Sequence, residues 1–438
     1  MLGARGCRGA TRPLADENDG EQMPMWGRTE QVPKGLRIAI NTLSVTADKG
    51  GIKTYLTNLV QSLVESQPHH HYELLCSPLN KALFRPAIEN GRSVSVVCLP
   101  LRKSGAIRRI WFDQFIVPRK LGPDVDLLLT PSNVCTIATR VRQIVVVQAP
   151  LSVSSIRAQT PHSREIVSRV QRLYYDLMMP ISMRRADRVV AVSEHLAGHL
   201  REAWPDSSAK VTVIHEGVDA TRFKHAATGR ADAGTSDPYL LFVGTLFPYK
   251  NVDRLIEAFA LLKSEDGIPA GLRLRIVGRD PDNRQRPRLQ ELATRRGVAS
   301  VVDLLGAVPH ERIANLYRGA RVFVFPSAVE TFGLPVLEAM ASGVPVVASN
   351  RMSVPEVVGQ AGIVVDPDAP SELAGAIRRV LTNGALQTSM IEAGRRRIRQ
   401  LTWKRATDEF EALFSEVVSK CTPTASQASR TSGRTSAS

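Results

Sequence analysis

The stretch from Arg321 to Ala348, RVFVFPSAVETFGLPVLEAMASGVPVVA, constrains the fold more than any other. Val322 to Phe325 are four successive apolar residues, the pattern of a strand covered on both faces and therefore of a parallel sheet. Pro326 and Ser327 end that strand. After a polar loop, Pro335 suits the first position of a helix, where its missing N–H costs nothing, and Gly343 supplies the stop. A helix is expected over Pro335–Ser342 and a second buried strand over Val344–Ala348. Such a strand–helix–strand unit belongs to an α/β chain with helices on both faces of a doubly wound sheet. It also exposes a helix N-terminus at the carboxyl edge of the sheet, where phosphates bind.

Two carboxylates bracket the turn, Glu330 in the loop and Glu338 in the helix, with seven residues between them. An acid near a helix start can simply complement the helix dipole. Beside a phosphate site, however, a carboxylate is repelled unless hydroxyls donate to it, and a ribose offers two adjacent ones. Glu330, Phe332, Gly333, Leu334, Pro335 and Glu338 match the Glu-x7-Glu signature of the retaining GT-B glycosyltransferases of family 4, six positions within nine. The chain resembles that family from about residue 36 to 420, most strongly over 239–366. The resemblance implies two Rossmann-like, doubly wound parallel-sheet domains facing a central cleft. It implies a catalytic role for Glu330, and donor contacts from Glu338, Thr331, Phe332, Gly333 and Leu334.

The 438 residues suit two domains rather than one, and 43% hydrophobic residues suffice for two cores. The expected division is an extension over 1–35, an acceptor-binding domain over 36–225 and a linker over 226–237. A nucleotide-sugar-binding domain over 238–400, a helix over 401–420 crossing back to the first domain, and a Ser/Thr-rich tail over 421–438 complete it. Cys7, Cys76, Cys98, Cys135 and Cys421 are scattered without paired or metal-like spacing, which points to a reducing cytoplasm. No apolar run approaches the ~20 residues of a membrane span, and the first residues lack the apolar core of a signal peptide.

The charge is uneven. Residues 85–188 carry 17 Lys/Arg against 7 Asp/Glu, +10 of the whole chain's +15. No nucleic-acid motif accompanies this excess and aromatics are only 5%, so nucleic acid is not an expected partner. Arg102, Lys103, Arg108 and Arg109 run into Ile110-Trp111-Phe112 and then Arg119-Lys120. Basic residues beside an aromatic pair suit an anionic membrane surface, hence a peripheral site on its inner face; the plainer alternative is a solvated basic helix face.

In the first domain, the strand Leu36–Ser44 leads through Gly50-Gly51 into the amphipathic helix 53–66. Glycines between strand and helix allow close backbone approach; G-x-G-x-x-G, the dinucleotide pattern, is absent. By resemblance, Gly50 and Gly51 face the diphosphate and the sugar from the acceptor side. His69-His70-His71 reads as a polar loop, because consecutive histidines cannot all point one way. The strand Gln143–Ala149 ends in Gln148-Ala149-Pro150, where many family members have a His contacting the donor sugar. Gln148 can hydrogen-bond a sugar hydroxyl but cannot transfer a proton near neutral pH. His162 has no evident place in the cleft. Ser193 is expected to cap the helix that follows the strand at 186–193, and Glu216-Gly217-Val218-Asp219 resembles the family's domain-crossing segment.

In the second domain, the strand Tyr239–Val243 feeds the loop Gly244-Thr245-Leu246-Phe247-Pro248-Tyr249-Lys250-Asn251 and the helix 252–262. A glycine-started loop running into a helix, with a lysine in it, suits a diphosphate; a lone Lys is otherwise a surface residue. The resemblance assigns Lys250 to the donor diphosphate. The Arg that many relatives carry in this loop is missing, since Thr245 and Tyr249 occupy its places, which leaves Arg254 as a helper. The GTL…KN form is similar to the mannosyltransferase-like branch and favours GDP-mannose over a UDP-sugar. Gly278 ends one strand, and Val308, after another, is placed by resemblance beside the nucleotide base.

The expected activity is that of a retaining hexosyltransferase moving a sugar from a nucleotide sugar to a glycan or lipid-linked acceptor. Lys250 and the amides near Gly333-Leu334 would take the leaving diphosphate, and Glu330 the developing positive charge. Relatives need no metal, so by resemblance no cofactor is expected. The alternatives are a GT-B nucleotide-sugar epimerase or hydrolase, and a non-catalytic nucleotide-sugar-binding module.

Overall fold

The computed structural model describes residues 35–46, 50–91, 93–102, 105–149, 152–159, 168–223 and 237–419. The terminal segments 1–34 and 420–438, most of the expected linker, Lys103, Pro150 and His162 lie outside the described residues.

The first sheet comprises β1 (Arg37–Asn41), β2 (His71–Cys76), β3 (Val94–Cys98), β4 (Leu127–Thr130), β5 (Arg142–Val147), β6 (Arg188–Ala191) and β7 (Val211–Val213). All pairs are parallel, in the order β3-β2-β1-β4-β5-β6-β7. The central strands are continuous apolar runs because helices cover both faces. Helix α1 (Gly51–Ser66) buries Tyr55, Leu56, Leu59, Val60 and Leu63 at helical spacing. Helix α2 (Arg169–Arg185) begins with a capping box between Ser168 and Gln171. Helix α3 (Glu194–Ala203) is capped by Ser193, whose hydroxyl accepts from the Leu196 amide at 3.2 Å.

The second sheet comprises β8 (Tyr239–Val243), β9 (Arg273–Val277), β10 (Val302–Gly306), β11 (Val322–Phe325), β12 (Val346–Ser349) and β13 (Gly362–Val365), also all parallel, in the order β10-β9-β8-β11-β12-β13. Its helices include α4 (Val252–Lys263), α5 (His310–Gly319), α6 (Leu334–Ala341) and α7 (Val354–Val358). The expected helix at 335–342 thus starts one residue earlier, with Pro335 in its first turn. Both sheets change winding direction at one place, between β1 and β4 and between β8 and β11. The loops leaving those strands at their carboxyl ends are where a doubly wound fold binds ligands.

The last helix, α8 (Trp403–Ser419), packs on the first lobe. Trp403 meets Tyr55 edge-on at 5.6 Å, Arg142 donates to the Val417 carbonyl at 2.7 Å, and Arg188 pairs with Glu416. The histidine run is not the polar loop its sequence suggests. His71 opens β2, and His70 is 1% exposed, accepting the Leu36 amide at Nδ1 (3.0 Å) and meeting Glu411 of α8 at Nε2 (2.6 Å). Strand β3 and helix α2, which contains Pro180, were not among the expected elements.

Candidate active site in the interlobe cleft

The carboxyl-end loops of both sheets line one cavity of about 720 Å³, within the range of ordinary small-molecule sites. Gly50, Gly51 and Gln148 line it from the first lobe; Gly244, Thr245, Lys250, Gly278, Val308 and the run Glu330–Leu334 line it from the second, with Glu338.

Backbone packing sets the loops. A Cβ on Gly278 would fall 1.7 Å from the Gly244 carbonyl oxygen, so these two loops lie backbone to backbone. Gly333 sits at φ +121°, which turns the chain into α6 and leaves the first turn of that helix facing the cavity. Ser353 fixes the loop before it, donating to the carbonyls of Glu330 (2.9 Å) and Phe332 (3.0 Å).

Lys250 ends the short turn after β8, and Asn251, in the left-handed region, redirects the chain into α4. The Lys250 ammonium is ion-paired with the Glu330 carboxylate and lies 5.4 Å from the ring centroids of both Tyr249 and Phe325. Arg254, expected to help Lys250, does not line the cavity. One turn along α4, it pairs instead with Glu257 at 2.9 Å, because its position on the helix points it toward that i+3 neighbour.

Glu338 is buried on α6, where the Tyr317 hydroxyl of α5 donates to it at 2.9 Å. Burial pushes its carboxyl up to about 7, against the opposing pull of Tyr317 and Arg222. Gln148 is 7% exposed, and neither its Oε1 nor its Nε2 has a hydrogen-bond partner among the described residues. Its backbone is held firmly: Asn133 Oδ1 accepts from the amides of Gln148 (2.7 Å) and Ala149 (2.8 Å). A buried amide without partners costs about 1–3 kcal/mol unless something else completes it, and here it borders the cavity.

Two residues lining the cavity, and one that ties the lobes together beside it, were not anticipated in these roles. Glu216 is buried against the cavity, its carboxyl pushed up to about 8 by burial first and the Glu330 charge second. Arg109, expected on a basic outer face, instead lines the cavity and faces Asp113 at 3.6 Å; Phe112 is buried with it. Glu356, at the start of α7, reaches the other lobe. It accepts from the amides of Glu194 (2.9 Å) and His195 (3.2 Å) at the start of α3, and meets His215 at 2.7 Å. The sequence signals were weak: Glu216 lies in the recognised crossing segment, and Arg109 within an amphipathic run.

Among the described residues, His69, His70 and Glu411 bring three potential metal ligands together, away from the cleft. The cluster does not suit a metal. The Leu36 amide can bond only to an unprotonated Nδ1 of His70, so Nε2 carries the proton and donates to Glu411.

Residues 49–222 match the family model described as Glycosyltransferase Family 4, and residues 228–397 match Glycosyl transferases group 1. The chain belongs to the group 1, family 4 glycosyltransferases. One relative of this glycosyltransferase chain, O-antigen chain mannosyltransferase B from Escherichia coli, is 39% identical over 171 residues, 39% of this chain and 44% of that protein. A D-inositol 3-phosphate glycosyltransferase from Geodermatophilus obscurus is 34% identical over 240 residues, 52% of each chain. The chain spans about half the length of the curated relatives it matches. Among solved structures, sucrose-phosphate synthase from Thermosynechococcus elongatus superposes with a TM-score of 0.72 at 21% identity, covering 88% of this chain and 100% of that one. HepE from Anabaena, solved with UDP and glucose, gives 0.66 at 18%, covering 87% and 100%. At such identities the likeness is one of fold, and with the two parallel sheets it makes this glycosyltransferase a GT-B protein.

Proposed function

We propose that the protein transfers a hexose, with retention at the anomeric carbon, from a nucleotide sugar to a glycan or lipid-linked acceptor. The observation that carries this reading is the Lys250–Glu330 pair at the mouth of α6, next to buried Glu338, in one cavity. In the reaction the anomeric carbon–phosphate oxygen bond breaks, a bond to an acceptor hydroxyl oxygen forms, and the hydroxyl's proton passes to the departing diphosphate. The leaving diphosphate, with its several negative charges, draws Lys250 away from Glu330 and is also met by the amides at the start of α6. Glu330, released from its counter-ion, is then free to offset positive charge at the sugar carbon or to hold sugar hydroxyls. Glu338 accepts ribose hydroxyls, and Gln148 completes its unpaired amide on the sugar. Lys250 and the helix amides supply the charge that a divalent metal would otherwise bring, so the proposed reaction uses no cofactor.

GDP-mannose is the favoured donor, on the similarity to the Escherichia coli mannosyltransferase; a UDP-sugar is the alternative. A lipid-linked acceptor is supported by the outer face of the first lobe. Ile107, Trp111 and Phe115 project one helical turn apart, and Val170, Leu173 and Leu177 of α2 do the same. The two elements are joined by the Gln114 amide donating to the Tyr174 hydroxyl at 3.3 Å. Exposed Arg108, Arg119, Lys120 and Arg169 surround them, a composition that favours peripheral binding at the inner, anionic face of a membrane. No described helix is long and apolar enough to cross one.

The test is release of nucleoside diphosphate from a panel of nucleotide sugars, with and without membrane extract. Acceptor-dependent release supports the transferase. Acceptor-free conversion alone indicates an epimerase or hydrolase, and binding without turnover an inert module.

A further inference from the structure

Glu216 stands on the segment leaving β7, one residue before Gly217. A Cβ on Gly217 would fall 2.1 Å from the Trp403 amide nitrogen, so this segment is wedged against the start of α8 and the Glu216 position is fixed. Its carboxyl, 6% exposed, borders the cavity and makes no ion pair among the described residues. Two titratable groups face it, Tyr55 of α1 and Glu330 of the loop after β11. The neighbouring His215 is committed to Glu356, and Lys250 to Glu330. Glu330 thus has an ammonium beside it and Glu216 has none, so burial and the Glu330 charge both favour the neutral Glu216 carboxyl.

We propose that Glu216 is a positioning residue of the cleft: it presents a neutral carboxyl that donates a hydrogen bond to an uncharged hydroxyl of the bound sugar. This rests on the transferase reading. The unpaired Gln148 amide is the second member of the arrangement, since the Glu330–Thr331 turn touches both: Glu330 faces Glu216, and Thr331 bonds the Gln148 carbonyl. A neutral acid and an amide together offer donors and acceptors but no charge, which suits a polyhydroxyl surface and disfavours a phosphate at that point. The rise of the Glu216 carboxyl to about 8, through burial and then Glu330, agrees with this state. When a diphosphate draws Lys250 away, Glu330 loses its counter-ion and Glu216 holds its proton more firmly. Donor affinity should therefore fall as pH rises through about 8.

Two measurements test the proposal. The folded-state value is raised above the ordinary 4.5, so the stability tied to the Glu216 proton is fully present below that value and is lost as pH rises to about 8. Glu216→Gln carries no such proton. Its melting temperature relative to wild type should climb across that window and level off above it; a constant difference overturns the proposal. The second measurement is release of nucleoside diphosphate from GDP-mannose and UDP-glucose with membrane extract supplying the acceptor. Glu216→Ala should raise KM about tenfold, the loss expected of one buried hydrogen bond. Glu216→Gln should recover most of that loss and no longer weaken above pH 8. A Gln variant no better than the Ala variant overturns the positioning role. If wild type turns over neither donor, the transferase reading fails, while the melting series still decides whether Glu216 is neutral.

Discussion

The Thr331 hydroxyl, in the second lobe, donates a 2.6 Å hydrogen bond to the Gln148 carbonyl oxygen in the first. This bond joins the tip of the Glu330 loop to the residue whose amide lacks a partner, so the relative position of the lobes and the shape of the sugar site are set together. Thr331→Val keeps the shape and removes the donor. It should cost about 1 kcal/mol and appear as a several-fold rise in donor KM with little change in melting temperature.

Glu356 is the second tie between the lobes, and it titrates. Burial raises its carboxyl, but the bonds from His215 and the amides of Glu194 and His195 outweigh burial and hold it below the ordinary range. Its contribution is therefore fully present above the usual Glu value and is lost as pH falls through the depressed one. Glu356→Ala should lose about 1–3 kcal/mol at neutral pH, because two helix-start amides lose their acceptor. The gap between variant and wild type should close in acid. Denaturant titrations at several pH values measure both.

The closing helix α8 buries Trp403, Phe410, Leu413, Phe414 and Val417. At about 1.5–3 kcal/mol for each large apolar side chain, these contacts rival the whole stability of an ordinary domain. A chain ending at residue 402 should lose cooperative unfolding of the first lobe, as followed by thermal melting and by protease cleavage within residues 35–223.

The apolar outer face of the first lobe makes a separate prediction. Trp111 is 50% and Leu173 72% exposed. Replacing both by Ser should weaken binding to vesicles containing anionic lipid about thirtyfold or more, because each buried apolar side chain contributes on the order of 1 kcal/mol or more. Donor binding, followed as the thermal shift with GDP-mannose or UDP-glucose, should be unaffected. Equal sedimentation of the two proteins removes the membrane face from the proposal.

Much of the scaffold was legible because buried parallel strands leave plain marks. Tyr239–Val243 and Val322–Phe325 were read from the sequence with the bounds they have. That the glycine loops and Lys250 border the cleft was legible too, since they follow the carboxyl ends of strands. Directions of side chains were not. Arg254 is close to Lys250 in sequence, yet the helix turns it to Glu257. Arg109 and Phe112 face inward while Trp111 faces out, because i and i+3 share a helix face and i+2 does not, and the basic run does not say which face is inner. Gly217, next to Glu216, packs against Trp403, almost 190 residues later, and His70 meets Glu411; no local pattern encodes such contacts. The helix holding Pro180 lacks the even periodicity that would announce it.

The most direct test of the cleft is a thermal-shift titration with GDP-mannose and UDP-glucose on wild type, Lys250→Ala and Glu338→Ala. Wild type should be stabilised by one of them, by about 2.7 kcal/mol at a hundredfold excess over Kd. Glu338→Ala should need a markedly higher concentration for the same shift. Lys250→Ala should lose most of the shift and, in turnover, about 2–4 kcal/mol of transition-state stabilisation. Shifts of equal size in all three proteins, or none with either nucleotide sugar, would contradict the assignment of Lys250 and Glu338 to a nucleotide-sugar site.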